Sequence, residues 1–404
     1  MRSSAFLYPW DVIGDPAAPG RLAALGVQQA TLAAAYHSTR ALTPRHPGHR
    51  IVTASHSAVY YPLDPARWAG HDLAPVQQSW CPGADPWGEA AEVLAAAGLE
   101  VHSWVVLAHN SLLGTAHPDR TVVNAHGDCY PWAPCIADER VRRYCAQLAA
   151  EAAVRPGAAG TELESCGWYG LAHLHAHDKI AGVPLDPAAQ YLLSLCFCDA
   201  CARGYRDAGV EPERLRAAVR TALEPVWAGT YRTPEGDGTG AAEWAGVEKL
   251  LGADLAAATM VHRRQALVRF QEEVVAAVRQ AAPPGFRVLL HADPVAHRTG
   301  ANAGMDADRV LDLVDGLVLP CTGDAGRRAA ILDAAAGHRR PGTVLAANLT
   351  VVSGMGGSPA TLADDARHAA AHGADELRLY HAGLAGDGDL ALVRSALAEL
   401  ARQA

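Results

Sequence analysis

Lysine is almost missing from this 404-residue chain: Lys179 and Lys249 are the only two, and no basic block occurs anywhere. The net charge of −9 is spread along the sequence, which excludes the electrostatic footprint of a nucleic-acid surface or of a partner on an anionic membrane. A small neutral or cationic ligand fits better. No apolar run is long enough to span a bilayer, and the start, Met1-Arg2-Ser3-Ser4-Ala5-Phe6-Leu7-Tyr8, has no signal-peptide hydrophobic region, so a cytoplasmic protein is expected. No Walker or dinucleotide-type glycine loop follows the first predicted strand, no Gly-x-Ser-x-Gly elbow occurs, and no internal repeat is visible. Gly354-Met355-Gly356-Gly357-Ser358 has the composition of a phosphate cradle but no basic residue after it, and reads as a flexible lid.

Half of the residues are apolar, enough for a large core, and one domain over residues 1–404 is the default. Short apolar runs alternate with Ala-rich helical segments, the pattern of a parallel sheet covered by helices. Eight strands are predicted: Ala5–Val12, Val27–Tyr36, Val101–Ala108, Gly160–Glu164, Phe286–His291, Gly316–Pro320, Thr343–Leu349 and Glu376–Tyr380. Helical segments lie between them at Pro19–Leu25, Trp87–Ala97, Asp138–Ala153, Ala188–Ala282, Asp306–Val314, Arg327–Ala336 and Thr361–Ala371, with Asp389–Gln403 last. This count defines an α/β fold, a (β/α)8 TIM barrel, rather than an open sheet. Two long insertions stand out, at about 39–86 after strand two and about 166–282 after strand four; the first is rich in His, Tyr, Trp and Pro, as binding loops are, and the turn-rich stretch 230–240 divides the second.

The predicted strands end in polar or aromatic residues, among them Trp10-Asp11, Tyr36-His37, His109-Asn110, Glu164-Ser165, His291-Asp293, Asn348-Thr350 and Tyr380-His381. That end of a barrel is its catalytic face. Loops after strands are polar in any case, but His, Trp and Tyr are not ordinary turn residues.

Four local signals carry chemistry. Cys196-Phe197-Cys198-Asp199-Ala200-Cys201 offers three thiolates to one tetrahedral zinc, with Cys135, or alternatively Cys129 or Cys145, as the fourth ligand; such a site would be structural, and the competing reading is three buried thiols on one helical turn. In Thr161-Glu162-Leu163-Glu164 the period of two puts both acids on one face of strand four, with Glu164 nearer the substrate end and Glu162 deeper, as support; the competing reading is a pair of structural acids. His173, His175 and His177 alternate in a short run that could hold a catalytic metal, hydrogen-bond a sugar-like ligand, or be a solvated loop. Asp293 ends strand five, next to strand four, and with Glu164 would make the two-carboxylate kit of glycosidic cleavage; the competing reading is a turn Asp before Pro294.

The order of Pro134-Cys135-Ile136-Ala137-Asp138-Glu139-Arg140-Val141-Arg142, an acidic fourth strand, then Cys196-x-Cys198-x-x-Cys201 resembles the β-galactosidases of glycoside hydrolase family 42 and a wider group of barrels described as hypothetical glycosidases. The resemblance covers about residues 100–205. It implies zinc on Cys135, Cys196, Cys198 and Cys201, and an acid/base role for Glu164, although Leu163 stands where the family has Asn. The family's nucleophile is a Glu on the seventh strand, and 343–352 contains no acid. Either Asp293 takes that role or the barrel does different chemistry.

The expectation is thus a glycosidase-type hydrolase with Glu164 as acid/base, Asp293 as partner and Glu162 as support. Trp10, Asp11, His37, His109, Asn110, Trp168, His173, His175, His177, His291, Asn348 and Tyr380 are the expected contacts to a small carbohydrate-like substrate. A structural zinc and no organic cofactor are expected, and a homo-oligomer is compatible with this composition. A metal-dependent hydrolase, lyase or isomerase built on the His cluster, and an inactive saccharide-binding barrel, are the alternatives.

Overall fold

The computed structural model describes residues 1–171, 178–183, 185–231 and 240–403. Its centre is a closed barrel of eight parallel strands: β1 (Arg2–Leu7), β2 (Gln29–Tyr36), β3 (Glu100–Val106), β4 (Gly160–Glu164), β5 (Arg287–Asp293), β6 (Gly316–Pro320), β7 (Val344–Thr350) and β8 (Glu376–Tyr380). Each pairs with the next, and β1 pairs with both β8 and β2, so no edge is left. Strands covered on both faces read as continuous apolar runs, and β2 is buried at all eight positions. Among the described residues no helix is long and apolar enough to cross a membrane.

Around the barrel lie α1 (Ala18–Ala23), α2 (Pro86–Ala96), α3 (Glu139–Ala153), α4 (Pro187–Leu193), α5 (Asp199–Asp207), α6 (Pro212–Trp227), α7 (Gly240–Leu251), α8 (Ala253–Ala281), α9 (Ala307–Val310), α10 (Ala325–Ala336), α11 (Leu362–Ala371) and α12 (Asp387–Gln403). Asp138 starts α3 by accepting the amides of Arg140 and Val141, and Val141, Tyr144, Cys145, Leu148 and Ala152 repeat at helical spacing to bury one face. Helix α8 packs along α3 and stops at Ala282, which is held extended (ψ 146°) by the Pro283 that follows.

Two strand limits differ from the sequence expectation. β1 ends at Leu7, not Val12, because Pro9 has no amide to offer and the Asp11 carboxylate accepts the Tyr8 amide at 2.8 Å, closing a 3-10 turn over Pro9–Asp11. β5 runs on to Asp293, two residues past the expected end. The chain after β2 forms a hairpin, Thr39–Leu42 against Ile51–Ala54, and a short strand, Ala58–Val59, antiparallel to the end of β2. A second hairpin, Thr121–Val123 against Cys129–Pro134, follows β3 and leads into Cys135.

The barrel interior is divided. Leu289, Val318 and Ala346 fill one side. The other holds a chain of polar contacts: the Ser4 and Thr31 hydroxyls 2.7 Å apart, Thr31 donating to Glu162 (3.1 Å), Arg378 Nε donating to Glu162 (2.6 Å), and Arg378 and Arg287 both donating to Glu376 (2.9 and 3.1 Å). Neither the Glu162 nor the Arg378 side chain is exposed. Burial alone would raise the Glu162 carboxyl, but Arg378 and then His291 bring it down to about 2.

Breaking a buried pair leaves an uncompensated charge, so Arg378→Met is expected to lower unfolding free energy by roughly 3–5 kcal/mol in urea titrations. The Glu162 contribution to stability is complete above its ordinary value of 4.5 and is lost as pH falls from there through about 2. Wild-type stability measured across that window should therefore decline with acid, and the decline should be smaller in Glu162→Gln.

Candidate active site

Alternation along β4 sends Glu162 and Glu164 into the barrel, Glu162 at mid-depth and Glu164 at the carboxyl end. Glu164 Oε2 accepts the Trp104 indole N–H at 2.8 Å. Burial raises the Glu164 carboxyl above its ordinary value and the negative charge of Glu162 adds to this, while His291 and the Trp104 bond pull it back only in part. Two acids two residues apart are thereby driven in opposite directions, the pattern that separates a proton donor from a permanent anion. The next residue, Ser165, has φ +55°, a left-handed conformation unusual outside glycine, held by its amide to Ala301 O (2.9 Å) and its carbonyl to the Ala108 amide (3.1 Å).

Aromatic rings wall the mouth above Glu164. Phe6 meets Trp104 edge-on at 4.7 Å, Tyr36 meets Trp104 at 4.5 Å, Trp10 stacks on Tyr8 at 4.3 Å, and His109 stacks on Tyr169 at 4.5 Å. Tyr380 and Asn348, at the ends of β8 and β7, are half-buried. Buried polar atoms with no hydrogen-bond partner among the described residues include Trp10 Nε1, Asp11 Oδ1, Asn348 Oδ1 and His381 Nδ1 at the same end. Such atoms are uncommon inside proteins and mark places where a ligand can be held. Burial pushes the Asp11 carboxyl up to about 7, against the pull of its bond from the Tyr8 amide and of Arg45. A side chain at Gly383 would have its Cβ 2.2 Å from Asp11 Oδ2, so this corner needs glycine.

Asp293 lies at the end of β5, as expected, but both its oxygens are engaged: Oδ1 by the Val295 amide (2.8 Å) and Oδ2 by Arg298 (2.7 Å). Arg298 also donates to Glu243 (2.8 Å), as does His297 (2.8 Å). This network lines a cleft of about 1180 Å³ with Tyr191, Asn302, Asp324 and Arg327, between the loops after β5 and β6 and the start of α7. The charges that act on Glu164 are His291 and Glu162.

Other expected contact residues divide by their bonding. Trp10, His37 and His109 belong to one run of ring contacts through Tyr8 and Tyr36, and His291 and Tyr380 both meet Phe6 edge-on. Asn110 caps the short helix Ser111–Ala116 through the Leu113 amide (3.0 Å) and donates to Tyr144 OH (3.3 Å), a structural use of both ends of its amide. Trp168 donates to Arg263 O (2.9 Å) and carries the Arg263 guanidinium 5.2 Å from its ring centre, behind the mouth. His173, His175 and His177 lie outside the described residues. Trp104 and Tyr169 were not among the expected site residues, and Tyr36 and His381 were expected at the catalytic face as strand ends but not as substrate contacts. Alternation from His102 would have placed Trp104 inside, but Glu243 and Arg298, on insertion and loop, have no such periodic signal.

Cys135, Cys196, Cys198 and Cys201 offer sulfurs that all lie within 4.8 Å of one another. The Cys135 sulfur is 3.6 Å from that of Cys201 and 3.7 Å from that of Cys198. A tetrahedron with Zn–S bonds of about 2.3 Å has edges of about 3.8 Å, so the four residues fit such a metal. The Cys196 sulfur also accepts the amides of Val123 (3.4 Å) and Cys198 (3.5 Å). Hydrogen bonds from Cys135, Cys196 and Cys201 drive the Cys198 thiol far down, whereas its bonds to Cys196 and Cys198 push the Cys135 thiol up and burial pushes up that of Cys201. Four sulfurs in one pocket ionise together only around a cation. Cys129 is exposed and Cys145 is buried with Cys166, so neither rival joins the cluster. Metal analysis of purified protein should find about one ion per chain, absent from Cys198→Ser, with a lowered melting temperature in that variant.

No family model matches the sequence, and no curated protein matches it. Among solved structures the architecture is that of glycoside hydrolase barrels. The chain is similar in fold to α-L-fucosidase isoenzyme 2 from Paenibacillus thiaminolyticus (12% identity, TM-score 0.57, 99% of this chain and 49% of that one). It is likewise similar to a catalytic mutant of Gan42B, a GH42 β-galactosidase from G. stearothermophilus (12%, 0.57, 100% and 56%), and to a β-galactosidase from the psychrophilic Marinomonas ef1 (11%, 0.54, 99% and 60%). The chain spans about half to three-fifths of the length of these proteins. The closed eight-stranded barrel is shared with GH42 β-galactosidases.

Proposed function

We propose that this chain, acting as one domain over residues 1–404, is a glycosidase-type hydrolase that cleaves a small glycoside at the mouth of the barrel. The observation that carries this reading is Glu164: a carboxyl buried at the end of β4, held by Trp104 and raised in pKa, inside an aromatic wall. A protonated carboxyl there can donate to a glycosidic oxygen as the bond to the sugar breaks, and the resulting carboxylate can take a proton from the incoming water. Rings such as Trp10 and Tyr380 suit the apolar faces of a sugar, and Asn348, His37 and His109 its hydroxyls. Glu162 supports Glu164 from below. Asp293 is the proposed partner carboxylate, and substrate would have to open its ion pair with Arg298 before it acted. Zinc on the four cysteines is assigned a structural role, since four sulfurs leave no position for water.

A second reading, a barrel that binds saccharides without turning them over, is favoured by the engagement of Asp293 and by Asn348 on the strand where the resembling family has its nucleophile. The metal-dependent alternative rests on His173, His175 and His177. Against a panel of aryl glycosides, Glu164→Gln is expected to lower kcat/KM by about 10²- to 10⁴-fold. Loss of activity in Asp293→Asn as well supports the pair; full activity in both variants would overturn the assignment. Calorimetric sugar binding by a wild-type protein with no turnover would favour the second reading.

A further inference from the structure

His291 is a side chain whose charge acts on both acids of β4. The β4–β5 register sets Leu289 beside Glu162 and Leu290 beside Leu163, so the next rung brings His291 level with Glu164. Its ring nevertheless reaches down: Nε2 is 3.3 Å from Glu162 Oε2, within ion-pair reach but without the geometry of a formed hydrogen bond. Neither atom has another hydrogen-bond partner among the described residues. The other Glu162 oxygen is fixed by Arg378 and Thr31. Phe6 covers the imidazole at 5.7 Å between ring centres, and the His291 residue is 2% exposed.

We propose that His291 is a positioning residue that sets the protonation of Glu164: the fixed anion Glu162 beneath it favours a positive charge on its ring, and that charge acts on the acid beside it. A proton on Nε2 lies within ion-pair reach of the Glu162 carboxylate; while the ring holds it, the imidazolium stabilises the ionised form of Glu164, and once water has taken it, Glu164 reverts toward the neutral acid. No bond other than N–H and O–H is made or broken. The other groups facing the pair are Arg378 and His102, which act on Glu162 from β8 and β3, and the hydroxyls of Tyr36, Tyr169 and Tyr380, which Glu164 faces from β2, from the segment after β4 and from β8. Of these groups, burial lowers the imidazole of His102.

This inference rests on the proposed acid/base role of Glu164 for its relevance, but its test does not need turnover. Trp104 Nε1 donates to Glu164, so its indole ¹⁵N–¹H resonance reports the charge on that carboxyl. The resonance is identified as the indole signal whose pH dependence disappears in Glu164→Gln. Removing a positive neighbour favours the neutral acid, so in His291→Gln the titration midpoint should move up by at least about one pH unit. An unchanged midpoint in a folded His291→Gln overturns the proposal. If that variant does not fold, the ring ¹⁵N shifts of His291 in the wild type decide: an imidazole that stays neutral through the Glu164 transition overturns it, and one that titrates with it supports it. A shifted midpoint in a protein without glycosidase activity leaves this inference standing and removes the proposed function.

Discussion

The structure depends on one buried ion pair, Glu162 with Arg378, near the middle of the barrel. Taking both charges out of water costs several kcal/mol each, and the attraction between them is supplemented by Thr31 and Gln29, which also donate to Glu162, and by Glu376, which accepts from Arg378. The contacts tie β1, β2, β4, β5 and β8 together through side chains rather than through the sheet alone. They also set the phase of each strand. A slip of one residue in β4 would turn Glu162 toward the helices and Leu163 inward, so the pair selects one register out of those the backbone could form. The same phase determines which residues arrive at the mouth: Glu164 is there because Glu162 is two positions below.

Much of this was legible in the sequence, for a definite reason. The eight strands are buried on both faces and so appear as apolar runs, and the inward phase of β4 follows from two acids two residues apart. The cysteine cluster was legible too, because ligand spacing is local and only the fourth sulfur comes from elsewhere. What was not legible depended on partners distant in sequence. The early end of β1 comes from the Asp11 carboxylate reaching back to the Tyr8 amide. The engagement of Asp293 comes from Arg298, which is itself oriented by Glu243 in the insertion after β4. Trp104 was within reach of alternation, but a tryptophan in a core strand looks the same whether it packs or hydrogen-bonds an acid.

The two sides of the barrel mouth differ in electrostatic character. Around Glu164 the wall is aromatic and holds few formal charges, so a proton on the acid is retained by poor solvation. Around Asp293 the cleft is crowded with paired charges, Arg298 and Glu243 above all, and carboxylates there are stabilised by cations. A ligand bridging both regions would pass from an apolar, ring-lined environment to a strongly polar one.

The pairing of β4 with β5 joins Gly160 to Arg287 across the longest connection in the barrel. Closing a loop of that length is slow and entropically unfavourable for a free chain. Cys135 lies before β4 and Cys196, Cys198 and Cys201 after it, so a metal on these sulfurs would pin the start of the excursion to the loop after β3, and α8 would carry the rest back in one rigid stride to β5. Seen this way, the cluster is a fastening that shortens the search for the final strand pair, and its effect should be felt in the rate of barrel closure as well as in the stability of the finished fold.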